Sequence, residues 1–237
     1  VKSGSFVSCI GRVNFALLAV IVFSRSGFAA QPNKHIQKDS PAHVESADLQ
    51  AGDILLVPLN CYVCNVIEEE TGVPYSHSVV VANTTDNAKE RLVYEAWGST
   101  KATPFLEIQA RAQKNQKLFH LRPKEFVENR APSESEIASV FNNEFSGLSF
   151  DDEYLWNNTD AQGRDTLYCA EFVVKFINRF LNNPQPPAAM TFKKQPEFWK
   201  KYYQQFNRSV PNGELGASPA TLYFSSRFIR LGEINKQ

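Results

Sequence analysis

Apolar positions along this chain follow two periods, and the switches between them mark the elements. Ile54-Leu55-Leu56-Val57 is a continuous apolar run between Gly52-Asp53 and Pro58, which predicts a short buried strand. Ser78-Val79-Val80-Val81-Ala82, beginning near Ser76, predicts a second strand, and a polar turn over 83–90 leads into a third, Leu92-Val93-Tyr94-Glu95-Ala96. Lys117 to Leu121 predicts a fourth. Helical spacing governs other stretches. Residues 62–71 predict a short helix stopped by Gly72 and Pro74, and Glu134 to Phe145 a longer one, with Ser133 as cap and Glu136 three residues on. Phe172, Val173, Phe176, Ile177, Phe180 and Leu181 form one face of a helix over 168–181, ended by Pro184, Pro186 and Pro187. Residues 195–206 read as an aromatic helix, Thr221 to Leu231 as a late strand, and 147–163 as loop. The expected architecture is one α+β domain over 49–237, a small, mostly antiparallel sheet packed against helices.

The first 48 residues behave differently. Lys2 and Arg12 precede an uncharged, mostly apolar run from Val13 to Phe23, and the small residues Ser26, Gly27, Ala29 and Ala30 follow. A positive start, a short apolar stretch and a small-residue exit describe a secretory signal over 1–30. The run is shorter than the about 20 apolar residues that span a bilayer. Residues 31–48, polar and containing Pro32 and Pro41, read as a linker. The expected location is therefore outside the cytoplasm, periplasmic or extracellular after cleavage, with membrane association left open.

Charge then excludes one class of partner. The 25 basic groups lose Lys2, Arg12 and Arg25 with the signal, so 22 remain against 25 acidic ones, a formal net of −3. No basic cluster stands out, and nucleic acid is not an expected partner.

Cysteine usage changes the picture further. Without Cys9 the chain retains Cys61, Cys64 and Cys169. Cys61 and Cys64 form a C-x-x-C pair, read as a candidate disulfide or an incidental pair, since the βαβ context of a thioredoxin-like couple is lacking. No second ligand pair stands at zinc spacing, so no metal is called for, and no cofactor motif is present. Cys169 is left over, and an odd thiol in an exported protein is a candidate nucleophile. With Asp165 or Thr166 as N-cap, it would lie in the first turn of its helix, where exposed N–H groups and the dipole favour a thiolate. The same position also suits a buried structural cysteine.

A base is needed beside it. His77 alone opens a strong strand; His35 and His43 fall in the linker, and His120 has no obvious acidic partner nearby. His77 lies nine residues before Asp86, and Glu95 nine after, so an evenly paired hairpin sets them face to face. A carboxylate there would fix the tautomer of the ring.

These residues resemble a known family. Gly52-Asp53-Ile54-Leu55 and Ser76-His77-Ser78-Val79-Val80 come first, and Tyr168-Cys169-Ala170-Glu171-Phe172-Val173 last. That order resembles the YiiX/YaeF-like permuted papain-like amidases, the circularly permuted branch of the NlpC-type cysteine hydrolases. Tyr94-Glu95-Ala96, Thr103-Pro104 and the stretch from Phe150-Asp151-Asp152 to Trp156 extend the likeness over most of residues 50–180. It implies a circularly permuted papain-like fold, Cys169 as nucleophile, His77 as base and Glu95 as its orienter. It also implies an amide- or acyl-containing substrate: a peptide, a cell-wall fragment or a lipid. Ala170 stands where the family commonly has Ser, the Cys61/Cys64 pair is not a family feature, and residues 184–237 match nothing in it. The rival readings are a lipid-directed thiol acyltransferase or deacylase, with Phe192, Phe198, Trp199, Tyr202, Tyr203 and Phe206 lining an acyl site, and an inactive binding module on the same fold. For those six rings, core packing is the favoured reading.

Overall fold

The computed structural model describes residues 43–44 and 48–234. The expected signal over 1–30 with Cys9, and all of the expected linker except 43–44 and 48, with His35, lie outside the described residues. In chain order the strands are β1 (His43–Val44), β2 (Ile54–Val57), β3 (His77–Val81), β4 (Leu92–Trp97), β5 (Ser99–Pro104), β6 (Leu118–Pro123), β7 (Ala188–Ala189), β8 (Leu215–Gly216) and β9 (Phe228–Ile234). The helices are α1 (Cys64–Thr71), α2 (Phe105–Arg111), α3 (Lys124–Glu128), α4 (Glu134–Val140), α5 (Cys169–Ile177), α6 (Pro196–Gln204) and α7 (Pro219–Tyr223).

The main sheet runs in the order β1-β9-β6-β2-β3-β4-β5. Six strands pair antiparallel, and β1 joins the edge parallel to β9. β2 sits in the middle, buried at all four positions, which accounts for its unbroken apolar run. Alternation divides its side chains between two cores. Ile54 and Leu56 pack with Val80, Tyr94 and the apolar side of α5, while Leu55 and Val57 pack with Val79, Val81 and Phe105 of α2. A third cluster gathers Phe192, Trp199, Tyr202 and Tyr203, so the aromatic tail builds core around α6. Among the described residues no helix is long and apolar enough to cross a membrane.

Local chemistry explains most boundaries. Ser133 and Glu136 form a reciprocal capping box, and α4 continues as a π-turn over Phe141–Phe145. α1 ends on Gly72 at φ 73°, a left-handed conformation that glycine adopts without strain. The expected late strand is corrected at its start. Ser218 caps a helix with Pro219 at its first turn, so 219–223 is α7 and the strand begins at Phe228. β5 and α2 were not expected at all: Ser99-Thr100-Lys101 has a weak apolar pattern, and α2 begins after Pro104 without a side-chain cap.

Candidate active site

Cys169 is the first residue of α5, with Tyr168 as N-cap in extended conformation and no side-chain cap bond. Neither Asp165 nor Thr166 takes the cap position expected of it. Tyr168 is instead tied down by its hydroxyl, which accepts from the Ala217 amide at 2.8 Å. The amides of Cys169 and Ala170 have no carbonyl a turn earlier within the helix, and the positive end of the dipole lies there. Cys169 is 7% exposed and its Sγ lies 4.0 Å from the Ser76 carbonyl, at the mouth of β3.

His77 opens β3 and is buried. Its Nε2 lies 2.8 Å from Oε2 of Glu95 on β4. The register of that contact differs from the expected one. Val80 pairs with Tyr94 and Val81 with Val93, so the hairpin is centred one residue later and His77 meets Glu95 diagonally. The turn is built around Asn87, whose carbonyl accepts from Glu90 and Arg91 and whose side chain accepts from Lys89. The displacement is an even number of residues, so both side chains keep the same face, and diagonal neighbours remain within reach.

Glu95 is fully buried and has three side-chain partners. Besides His77, its Oε1 accepts from Thr103 Oγ1 at 2.6 Å and from Arg111 Nη2 at 2.5 Å. Burial pushes its carboxyl pKa up, but the His77, Arg111 and Thr103 hydrogen bonds together with the His77 charge outweigh that and hold it near 2. His77 shows the complementary balance. Burial lowers its pKa, but hydrogen bonds and charge attraction from Cys169 and Glu95 raise it to about 9. With Nε2 committed to Glu95, Nδ1 is the nitrogen left for the thiol. Trp97 packs edge-on against the imidazole at 5.6 Å, and the Arg111 guanidinium lies over the Trp97 ring at 5.1 Å. Arg111, Thr103 and Trp97 were not singled out for this role in the sequence; Thr103 appeared only within a family-like dipeptide.

Two cavities lie in this region, and the thiol lines one of them. A small apolar one of about 40 Å³ is lined by Cys169, Ala170, Ile67, Met190, Phe192 and Trp199, among others. A wider cleft of about 620 Å³ is lined by Trp97, Tyr62, Phe150, Asp152, Tyr202 and Phe206, with Cys61 at its edge. Tyr154, at φ 52°, lines both. Cys61 and Cys64 are disulfide-bonded, which ties the loop before α1.

No protein-family model and no curated protein matches the chain. Among solved structures, the metalloprotein YiiX from Escherichia coli O157:H7 superimposes with a TM-score of 0.60 at 20% identity, over 78% of this chain and 97% of that one. The chain has a YiiX-like fold. At that identity the likeness speaks for the backbone, and the chemistry must be argued from the side chains present.

His120, without an acidic partner in the sequence reading, has one in the structure. Its Nε2 lies 2.7 Å from Oδ2 of Asp53, which Arg122 also grips through Nε and Nη2, each at 2.7 Å. Asp53 immediately precedes β2, and β6 is the neighbouring strand, on which His120 pairs with Leu55.

Proposed function

We propose that this chain is an exported thiol hydrolase of a permuted papain-like kind, cleaving amide or related acyl bonds through an acyl-enzyme on Cys169. The observation that carries this reading is His77, held at Nε2 by Glu95 with its other nitrogen left to a thiol on the first residue of a helix. An imidazole raised to about 9 holds its second proton at neutral pH, and that proton comes from the thiol. The thiolate attacks the carbonyl carbon, and the oxyanion forms beside the free amides at the start of α5. The C–N or C–O bond then breaks as the imidazolium gives its proton to the leaving atom. Water, deprotonated by the same imidazole, hydrolyses the thioester and restores the thiol. Glu95 acts through His77, fixing its tautomer and stabilising its charge.

The Cys61–Cys64 disulfide suits an oxidising compartment, and that supports the reading as exported. There, peptide and cell-wall amides are the substrates within reach. The YiiX structure is described as that of a metalloprotein. Among the described residues no three His, Cys, Asp or Glu side chains converge as metal donors, and Nε2 of His77 is already engaged by Glu95. The donor set does not fit a metal site, and no step is routed through one.

The test is alkylation of Cys169 by iodoacetamide at pH 6.5, read by peptide mass mapping in wild type, His77→Ala and Glu95→Gln. The expected result is a rate at least about tenfold lower in His77→Ala, because the thiolate has lost its counter-ion. Equal rates with and without His77 would remove the dyad and leave a binding module on the same fold.

A further inference from the structure

The cavity at Cys169 and the cleft at Trp97 differ in size by an order of magnitude, and the proton-transfer chemistry dictates which half of a substrate enters each. This inference rests on the thiol-hydrolase reading above. The imidazolium must reach the leaving atom, so the leaving group departs on the His77 side of the thiol. Trp97, edge-on to His77, lines the wide cleft of about 620 Å³ and does not line the small cavity. Cys169 lines the small cavity of about 40 Å³ and does not line the wide cleft. The acyl half, bonded to Sγ in the intermediate, is therefore the half beside the small cavity.

The geometry points to a hydrolase selective for short acyl groups carried on bulky leaving groups, with Met190 as the residue that sets the acyl length. A cavity of about 40 Å³ has room for roughly three water-sized groups. An alkyl portion of about one to three carbons fits within it, and a longer chain must pass Met190, which also lines a neighbouring space of about 330 Å³. The Met190 side chain is backed by β8. A Cβ on Gly216 would lie 2.6 Å from Met190 Cγ and 2.8 Å from the Tyr168 hydroxyl, so the β8 backbone is packed directly against both side chains. The Met190 backbone is held on both sides, its amide donating to Glu214 and its carbonyl accepting from Gly213. Shortening its side chain therefore opens the cavity while the main-chain bonds that position the segment remain. The wide cleft offers a different character, with Trp97, Tyr62, Phe150 and Phe206 among its lining side chains and Asp152 and Gln205 as polar ones. A leaving group with a ring and hydrogen-bonding substituents suits it.

The experiment measures kcat/KM of the full chain for acetyl, butyryl and octanoyl esters of p-nitrophenol, with the acyl mass on the Cys169 peptide read after rapid acid quenching. The expected result is a drop of about a hundredfold between butyryl and octanoyl in wild type, and at least about a tenfold recovery of the octanoyl ester relative to acetyl in Met190→Ala. Octanoyl turnover equal to acetyl in wild type, with Cys169 acylated, overturns the size limit and needs no variant. A Met190→Ala protein that acylates Cys169 with the wild-type preference removes Met190 from that role. Absence of an acyl mass on Cys169 with every ester fails at the thiol-hydrolase reading itself, and the inference falls with it.

Discussion

Two histidines in this sheet are buried against carboxylates at almost the same distance, yet only one has a thiol beside it. His77 lies 2.8 Å from Glu95, and His120 lies 2.7 Å from Asp53. Their surroundings differ. Asp53 is gripped by Arg122 and accepts from the Gln50 amide, and Nδ1 of His120 is buried without a hydrogen-bond partner. His77 has a thiol as neighbour and two cavities nearby. A histidine–carboxylate pair is thus a structural unit as readily as a catalytic one, and what distinguishes them is the group offered to the other ring nitrogen.

The largest expected difference between the pairs is in turnover. His77→Ala and Cys169→Ala should each lower kcat by about a thousandfold or more, since in the proposed reaction base and nucleophile act as one unit. His120→Ala should leave kcat per folded molecule within about threefold of wild type. Ester hydrolysis normalised to folded protein checks both, and a thousandfold loss in His120→Ala would erase the distinction. Glu95→Gln comes next, at about a hundredfold, because the amide still meets His77 but neither compensates its charge nor enforces its tautomer.

Stability should run the other way. His120→Ala removes a ring at 0% exposure from between central strands and takes one of three hydrogen-bond partners from Oδ2 of the buried Asp53, at a cost of about 2–4 kcal/mol in urea unfolding. For His77 the contribution depends on pH. Its folded pKa is raised to about 9 from an ordinary value near 6.5. The stabilisation from its charge is therefore full below about pH 6.5 and is lost as pH rises through about 9. The stability gap between wild type and His77→Ala should narrow over that window, and a gap that widens instead would contradict the charged pairing with Glu95.

A third buried carboxylate sharpens the same point with a smaller effect. Glu171, two residues after the thiol, accepts from the Asn157 amide at 2.8 Å and pairs with Lys175 at 2.9 Å. Its other oxygen has no partner. Burial raises its pKa to about 7, outweighing the lowering by the Lys175 and Asn157 hydrogen bonds. Because the folded pKa lies above the unfolded one, the cost of ionising the buried group appears between about pH 4.5 and 7. Glu171→Gln should gain stability relative to wild type as pH rises from 5 to 8, by on the order of 1–2 kcal/mol, measured as the urea midpoint at each pH.

Much of this was legible in the residues where a local signal and the fold agree. The unbroken run Ile54–Val57, the Ser133/Glu136 box and the apolar face of α5 each announce their element. The His77–Glu95 contact was legible through parity alone: the register was displaced, but by an even step that kept both on one face. What escaped has a physical reason in each case. The Asp53–His120 pair spans 67 residues and exists only because β2 and β6 are neighbours. α2 has seven residues and no side-chain cap, so nothing local marks the helix that delivers Arg111. Tyr154 reaches both cavities from a loop at positive φ, a conformation set by tertiary contacts.

Arg111 supplies the smallest and most specific test. Its guanidinium bonds Glu95 at 2.5 Å through Nη2 while lying over the Trp97 ring, so one planar group braces both the carboxylate and the indole beside His77. A lysine ammonium is a point charge and does not serve a carboxylate and a ring face in that planar way. Arg111→Lys preserves the charge near Glu95, so the hydrogen-bonded carboxylate stays ionised and the His77 base keeps its partner. What is lost is orientation. The expected outcome is a drop of about threefold in kcat, roughly 0.7 kcal/mol, with KM within twofold and the pH profile unmoved. Arg111→Gln removes the charge as well, lifts the Glu95 carboxyl and shifts the profile, which separates bracing from electrostatics. If Arg111→Lys moved the pH profile as far as Arg111→Gln does, the guanidinium would act on His77 through charge placement, and its planar contact with Trp97 would be packing alone.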